Sequence, residues 1–116
     1  MNVVMLIGNL ATDVELKEVG DEKRVANFLL AVNRRTREGG ADFFRVSVWD
    51  RQAELCARYL VKGKRVGVEG QLRSSSWEQD GQTRRQVDVV ARTVQFLSPP
   101  TDGAGAEVVP FEAAVA

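Results

Sequence analysis

The chain lacks histidine altogether and has one cysteine, Cys56, among its 116 residues. Without histidine, and with no nucleophile beside a base, it has no recognisable set of residues for acid–base or nucleophilic catalysis. One cysteine cannot form an internal disulfide or a metal cluster, and its place in an apolar helical pattern predicts a buried core residue. We therefore expect a protein that is not an enzyme and that carries no metal or cofactor.

Long apolar runs are missing as well. None approaches the roughly 20 residues of a membrane helix, and the first ten residues have neither the basic start nor the small-residue cleavage site of a signal peptide. The composition, 44% hydrophobic and 28% charged, is typical of a soluble globular protein, and the length accommodates one domain. These features predict a single-domain cytoplasmic protein.

The chain has no net charge, but its two parts differ. Residues 1–97 hold all sixteen basic and thirteen acidic residues, a net charge of +3, whereas the last nineteen residues hold three acidic ones and no basic one. This last segment also contains a Pro-Pro pair, is rich in alanine and glycine and has no sustained period. We predict a folded domain at residues 1–97 and a flexible tail at residues 98–116.

The first apolar run, VVMLI at residues 3–7, is apolar on both faces of a strand, which an exposed edge strand avoids. We expect it to be buried on both sides, with a second subunit as a candidate cover, and Gly8 to mark a bulge or a sharp bend. After a turn at Gly20-Asp21, a second strand has one apolar face that comprises Ala26, Phe28, Leu30 and Val32.

The third predicted strand, DFFRVSVW at residues 42–49, is the most informative segment. Its two faces alternate with a period of two. One face is apolar and comprises Phe44, Val46 and Val48; the other comprises Phe43, Arg45, Ser47 and Trp49. The second set would make a poor core, but two aromatic rings with a cation and a hydroxyl suit a flat, anionic ligand.

From Asp50 the period changes to that of a short helix, with Asp50 as the N-cap and Gly63 as the stop. Strand character returns at residues 64–77, where Val66, Val68 and Leu72 are expected to face inward. Asp80-Gly81 is a strong signal for a two-residue hairpin turn, which places Trp77 opposite Arg84. A fifth strand, residues 85–97, completes the set.

Trp77 lies in a polar ribbon, GQLRSSSWEQDGQTRRQ at residues 70–86. Three roles are open for Trp77: it packs over the core of its own domain, it contacts another subunit, or it provides a surface on which a base stacks. Like Trp49, it has arginine beside it on the same face, and paired rings and guanidinium groups suit single-stranded nucleic acid. The predicted binding residues are Phe43, Trp49 and Trp77 for stacking on bases and Arg34, Arg35, Arg45, Arg73, Arg84 and Lys62 for phosphates.

Three strands, one short helix and two further strands are the order of the OB-fold, an all-β, five-stranded barrel, here with an extended hairpin between its last two strands. The segments NVVMLIGNL, VANFLLAVNR and DFFRVSVWDRQAELCARYLVKGKRVGVEGQLR, together with Trp77, resemble the bacterial single-stranded DNA-binding protein family over residues 1–97.

This resemblance implies cooperative, sequence-tolerant binding of single-stranded DNA in replication, recombination and repair, in association with the nucleoid. It also implies a homotetramer, a dimer of dimers through strand one, and stacking by Phe43, Trp49 and Trp77. A further aromatic common in the loop after the second strand is absent, and Arg34, Arg35 and Arg37 are candidates to stack in its place.

The tail departs from the family pattern. Members that recruit replication and repair proteins end in an acidic tip that closes with Pro-Phe, whereas Pro110-Phe111 here stands five residues from the end with only Glu107 and Glu112 near it. Recruitment of such partners through the tip therefore lacks its usual residues.

Two other binding classes use the same barrel. An OB-fold adaptor of the replication restart or primosome type would use the exposed aromatics to bind protein, and a cold-shock-like domain would bind RNA but is shorter and lacks the helix. Salt dependence separates the first from DNA binding, since phosphate contacts weaken steeply with salt.

Overall fold

The computed structural model describes residues 1–98; the tail predicted at residues 98–116 therefore lies outside the described residues from residue 99 onward. The elements are β1 (Val4–Leu10), β2 (Glu15–Glu18), β3 (Arg24–Asn33), β4 (Ala41–Trp49), α1 (Asp50–Tyr59), β5 (Arg65–Gln79) and β6 (Gln82–Phe96). No helix in this described part is long and apolar enough to cross a membrane.

The strands form one sheet in the order β1-β5-β6-β4-β3-β2, and β1 also pairs with β3. That extra pairing joins β1, β5, β6, β4 and β3 in a cycle, with β2 outside it as an edge strand. All neighbours are antiparallel except β4 and β6. The all-β OB-fold predicted from the sequence is confirmed.

A short strand, β2, stands between the first two predicted strands, so residues 1–98 contain six strands where five were predicted. The break between β1 and β2 falls at residues 11–14, where Ala11 and Thr12 bind the backbone of Leu29 instead of continuing the ladder: Ala11 N–H donates to the Leu29 carbonyl, and Leu29 N–H donates to Thr12 Oγ1. β2 then pairs only with β3.

The core consists of the apolar positions that alternation assigns to the inside of the strands. Leu30, Val46, Val48, Val66 and Val89 are fully buried and belong to one cluster. Helix α1 adds Ala53 and Cys56 to it. Burial of apolar area of this kind is the main favourable term in folding.

The predicted bulge at Gly8 is wrong. The β1–β5 register runs without interruption from Val4 opposite Gly70 to Asn9 opposite Arg65. Glycine is required at residue 8 because a Cβ there would overlap the Ala31 carbonyl oxygen of β3, at the point where β1 begins to pair with that strand. The irregularity lies instead between Glu69 and Gly70, opposite β6.

Two further local predictions are wrong. Asp50 is not the N-cap: it is the first helical residue, and Trp49 holds the cap position without a side-chain hydrogen bond. The helix ends at Tyr59, and Gly63 instead turns the chain back so that its N–H donates to the Leu10 carbonyl. Leu72 lies on the inward side as expected, opposite the buried Val89, but it is 43% exposed because β5 has by then passed the edge of the core.

Within a single chain, one side of β1 is buried and the other side is exposed. Leu6 packs against the core, whereas Met5 is 72% and Ile7 54% exposed. These two side chains stand beside Gly67 on β5, which has no side chain to cover them.

Candidate nucleic-acid interface

The outer face of β4 presents the two aromatic residues that the sequence analysis placed there. Phe43 is 61% and Trp49 39% exposed, while Val46 and Val48 on the other face are buried. Arg45 lies between the rings on the same face and is exposed. At about 3.3 Å per residue, the Cα atoms of Phe43 and Trp49 are about 20 Å apart. One strand therefore holds both rings above a packed core.

The hairpin of β5 and β6 has the register predicted from its turn. Trp77 pairs with Arg84 and Gln79 with Gln82. Asp80 and Gly81 have φ values of 55° and 78°, the two positive angles of a type I′ turn. We call the part of this hairpin beyond Gly70 the arm. Trp77 lies on it and is 43% exposed.

The arm and the β4 surface share one face of the sheet. Ser47 of β4 is the partner of Val90 on β6, so the two side chains lie on the same side. Arg84 is six residues from Val90 on β6 with no register shift between them, and period two therefore puts it on that side too. We call this the aromatic face; it comprises Phe43, Arg45, Trp49, Arg73, Trp77 and Arg84.

The cations of the aromatic face are available for a ligand. Within residues 1–98, no carboxylate lies within 4.0 Å of the side-chain nitrogens of Arg45, Arg73 or Arg84. Asp88 is the residue opposite Arg73 in the hairpin, so Arg73 has the nearest competing charge of the three.

The remaining predicted cations lie outside the aromatic face. Arg34 is engaged: its Nε donates to Asp42 Oδ1 at 2.8 Å, and this hydrogen bond raises the pKa of Arg34 above its usual value. Arg35 is exposed in the loop after β3 and lines a groove with Asn9 and Arg65. Lys62 follows α1, where its backbone N–H donates to Asp13 Oδ1.

A polar pair at the centre of the β3–β4 surface was not among the predicted site residues. Ser47 Oγ donates to Asn27 Oδ1 at 2.8 Å, and the two residues are partners in the β3–β4 register. The sequence gives no signal for this pair, because the register between the two strands depends on the loop that joins them.

The comparison with family models matches residues 1–97 to the single-strand binding protein family. The chain belongs to this family. Its relatives include a "Single-stranded DNA-binding protein" of Treponema pallidum, 42% identical over 90% of this chain. "Single-stranded DNA-binding protein 3" of Clostridium acetobutylicum is 47% identical over 84% of the chain.

The chain is shorter than these family members. It spans 62% of the length of the Treponema protein and 71% of the Clostridium one.

A solved structure supports the fold assignment. The chain described as "Plasmodium falciparum SSB complex with ssDNA" matches with a TM-score of 0.73 and 30% sequence identity, covering 78% of this chain and 86% of that one. A likeness at this level of identity and score shows that the family fold is shared.

Proposed function

We propose that this protein binds and protects single-stranded DNA without reading its sequence, in DNA replication, recombination and repair. The observation that carries the proposal is the aromatic face: three exposed rings and three arginines on one side of one sheet. Membership of the single-strand binding protein family supports it.

The chemistry of the face suits a single strand and not a duplex. Bases of a single strand are free to stack on Phe43, Trp49 and Trp77, whereas bases in a duplex are already stacked and their ring faces are hidden. For proteins of this class, stacking contributes about 1–3 kcal/mol per base by alanine substitution. Because every base has a π-face, the affinity depends little on sequence.

The arginines supply the phosphate contacts. Arg45 stands between the two rings of β4, and Arg84 stands directly across from Trp77, so a strand that stacks on the rings passes over a guanidinium group at each step. Arg35 and Lys62 lie on loops outside the aromatic face and are proposed as further phosphate contacts. Arg34 contributes less because Asp42 already neutralises it.

We further propose that the protein assembles as a homotetramer, a dimer of dimers through β1. The support is an exposed apolar row: Met5 and Ile7 on β1, with Val3 just before the strand and Gly67 opposite Ile7 on β5. A row of this kind on a strand is a liability in a monomer and a contact surface in an oligomer.

In this proposal the protein is not an enzyme and acts in the bacterial cytoplasm, where its DNA lies. Recruitment of replication and repair proteins forms no part of the proposal.

The test is the affinity for a thymidine oligonucleotide, measured at several salt concentrations beside a duplex of equal length. We expect tight binding to the single strand only, with log K falling against log salt by roughly 0.7 per phosphate contact. Arg84→Gln should reduce that slope by about one contact, whereas Arg58→Gln on α1 should leave it unchanged. Absence of binding at low salt would refute the proposal and favour an adaptor that binds protein.

A further inference from the structure

We propose that Asn27 is a DNA contact whose side-chain amide is fixed to donate, so that it binds base carbonyl oxygens between the two stacking rings of β4. This inference rests on the proposed function and adds to it a residue that reads hydrogen-bond polarity.

The orientation of the amide follows from its partner. Ser47 Oγ donates to Asn27 Oδ1, so the amide is held with its oxygen toward Ser47. Among residues 1–98, no buried side-chain nitrogen or oxygen lacks a hydrogen-bond partner. Asn27 Nδ2, for which the structure has no protein partner, is therefore not fully buried. The amide thus offers its two N–H donors to a ligand, while Ser47 takes up one of the two lone pairs of Oδ1.

The position of Asn27 places those donors on the path of the strand. On β3, Asn27 lies between Leu29, which is opposite Arg45, and Val25, which is opposite Trp49. The two rings of β4 are about 20 Å apart, which is more than one stacked base covers. Nucleotides that bridge Phe43 and Trp49 must therefore cross the row that contains Asn27 and Ser47.

The surroundings favour a base over a phosphate as the partner. Glu15 on β2 is the residue opposite Asn27, and Asp13 lines the same groove. Two carboxylates at one end of the groove repel a phosphate group, whereas Arg45, which also lines the groove, is the residue that would hold one. Leu29, 36% exposed, gives the groove an apolar wall against which a base ring packs. An amide held in this orientation donates to carbonyl oxygens such as O2 and O4 of thymine.

Two oligonucleotides of equal length test the inference, one of thymidine and one abasic with the same phosphates. Asn27→Ala should lower the affinity for the thymidine strand by roughly 2- to 10-fold, the range for one hydrogen bond, and leave the abasic strand unaffected. Asn33→Ala removes the same amide on the same strand of the sheet, beyond the Phe43 pair, and should bind both as the wild type does.

Two more variants separate the contribution of the Asn27 N–H donors from that of the Ser47 hydrogen bond that orients them. Asn27→Asp keeps the bond from Ser47 but replaces both donors by a carboxylate oxygen, so it should bind thymidine more weakly than Asn27→Ala, and the gap should persist at high salt. Ser47→Ala frees the amide to rotate and should lose less than Asn27→Ala. Melting curves establish that each variant is folded.

The results that overturn the inference are distinct. If the Asn27→Ala and Asn27→Asp variants bind the thymidine oligonucleotide as tightly as Asn33→Ala, Asn27 does not contact the DNA. If both oligonucleotides lose affinity equally, the partner is a phosphate and the base-carbonyl assignment is wrong. If the wild type binds neither, the proposed function itself fails.

Discussion

The aromatic face is built from two regions with different support. On β4, the residues that alternate with the ligand-facing ones are buried, and Val46 and Val48 anchor the strand in the core. On the arm, the part of β5 and β6 beyond Gly70, the inward positions become exposed within residues 1–98: Val89 is still buried, but Leu72 is 43% and Val87 59% exposed.

The difference teaches that alternation decides only which side chains share a face. Whether that face is buried depends on a second layer, and within residues 1–98 the arm extends past the core that covers the rest of the sheet. Phe43 and Trp49 are consequently held by packing, whereas Trp77 is held by the hairpin ladder and its turn. Substitutions in the body should therefore change stability, and substitutions on the arm should change binding alone.

The largest expected effect is the difference in stability loss between two leucine substitutions, one in each region. Leu30→Ala, in the fully buried core, should lower the free energy of unfolding by about 2–5 kcal/mol, because it removes buried methyl groups and leaves a cavity. Leu72→Ala, on the exposed arm, should change it by roughly 0.5 kcal/mol or less. Urea denaturation measures both, and an equal loss at the two sites would contradict the difference in support.

The next largest effect on stability is expected at Gly70, where the two regions meet. A Cβ at Gly70 would overlap the Val90 carbonyl oxygen, so Gly70→Ala forces the β5 and β6 backbones apart and should cost about 1–3 kcal/mol of stability. Gly67→Ala is the matched control on the same strand, because its Cβ would meet ordinary contacts at 3.6–3.8 Å. Thermal melting of both variants makes the comparison, and similar melting temperatures would count against a close approach at Gly70.

The arm itself should respond through binding. Trp77→Ala should weaken single-strand binding by about 1–3 kcal/mol and leave the melting temperature unchanged, since the ring packs on nothing in the core. Trp77→Phe keeps a stacking ring and should restore most of the affinity. If Trp77→Ala melts lower than the wild type while binding normally, the residue has a structural role and the stacking assignment is wrong.

The smallest expected effect is a change in stability that involves only the core and appears only at high pH. Burial raises the pKa of the Cys56 thiol from 9.0 to about 12, because the thiolate is poorly solvated in the core. The folded state therefore binds this proton more tightly than the unfolded state, and the stability it contributes is complete below pH 9 and is lost as the pH rises toward 12. The stability difference between wild type and Cys56→Ala should shrink over that window, and a constant difference would contradict the burial.

Sequence patterns predicted the features that depend on neighbouring residues. The Asp-Gly turn requires two positive φ angles, and that local requirement was enough to predict the pairing of Trp77 with Arg84. The alternation in β4 likewise predicted which side chains face the core. Both follow from backbone geometry within a few residues.

Features that depend on distant contacts were predicted poorly. The need for glycine at residue 8 arises from the Ala31 carbonyl, and the exposure of Leu72 arises from the point at which the core ends. Neither can be read from the flanking sequence. The pairing of Arg34 with Asp42 and of Asn27 with Ser47 likewise depends on the β3–β4 register, which the sequence alone left open.

The most direct test of the central claim, that both regions contact the same DNA strand, uses the two tryptophans of the chain one at a time. Trp49→Phe and Trp77→Phe leave a single fluorophore on the arm and on β4, respectively. We predict that a thymidine oligonucleotide quenches both variants at the same stoichiometry and that a duplex of equal length quenches neither. Quenching of only one variant, or of neither, would contradict a continuous aromatic face.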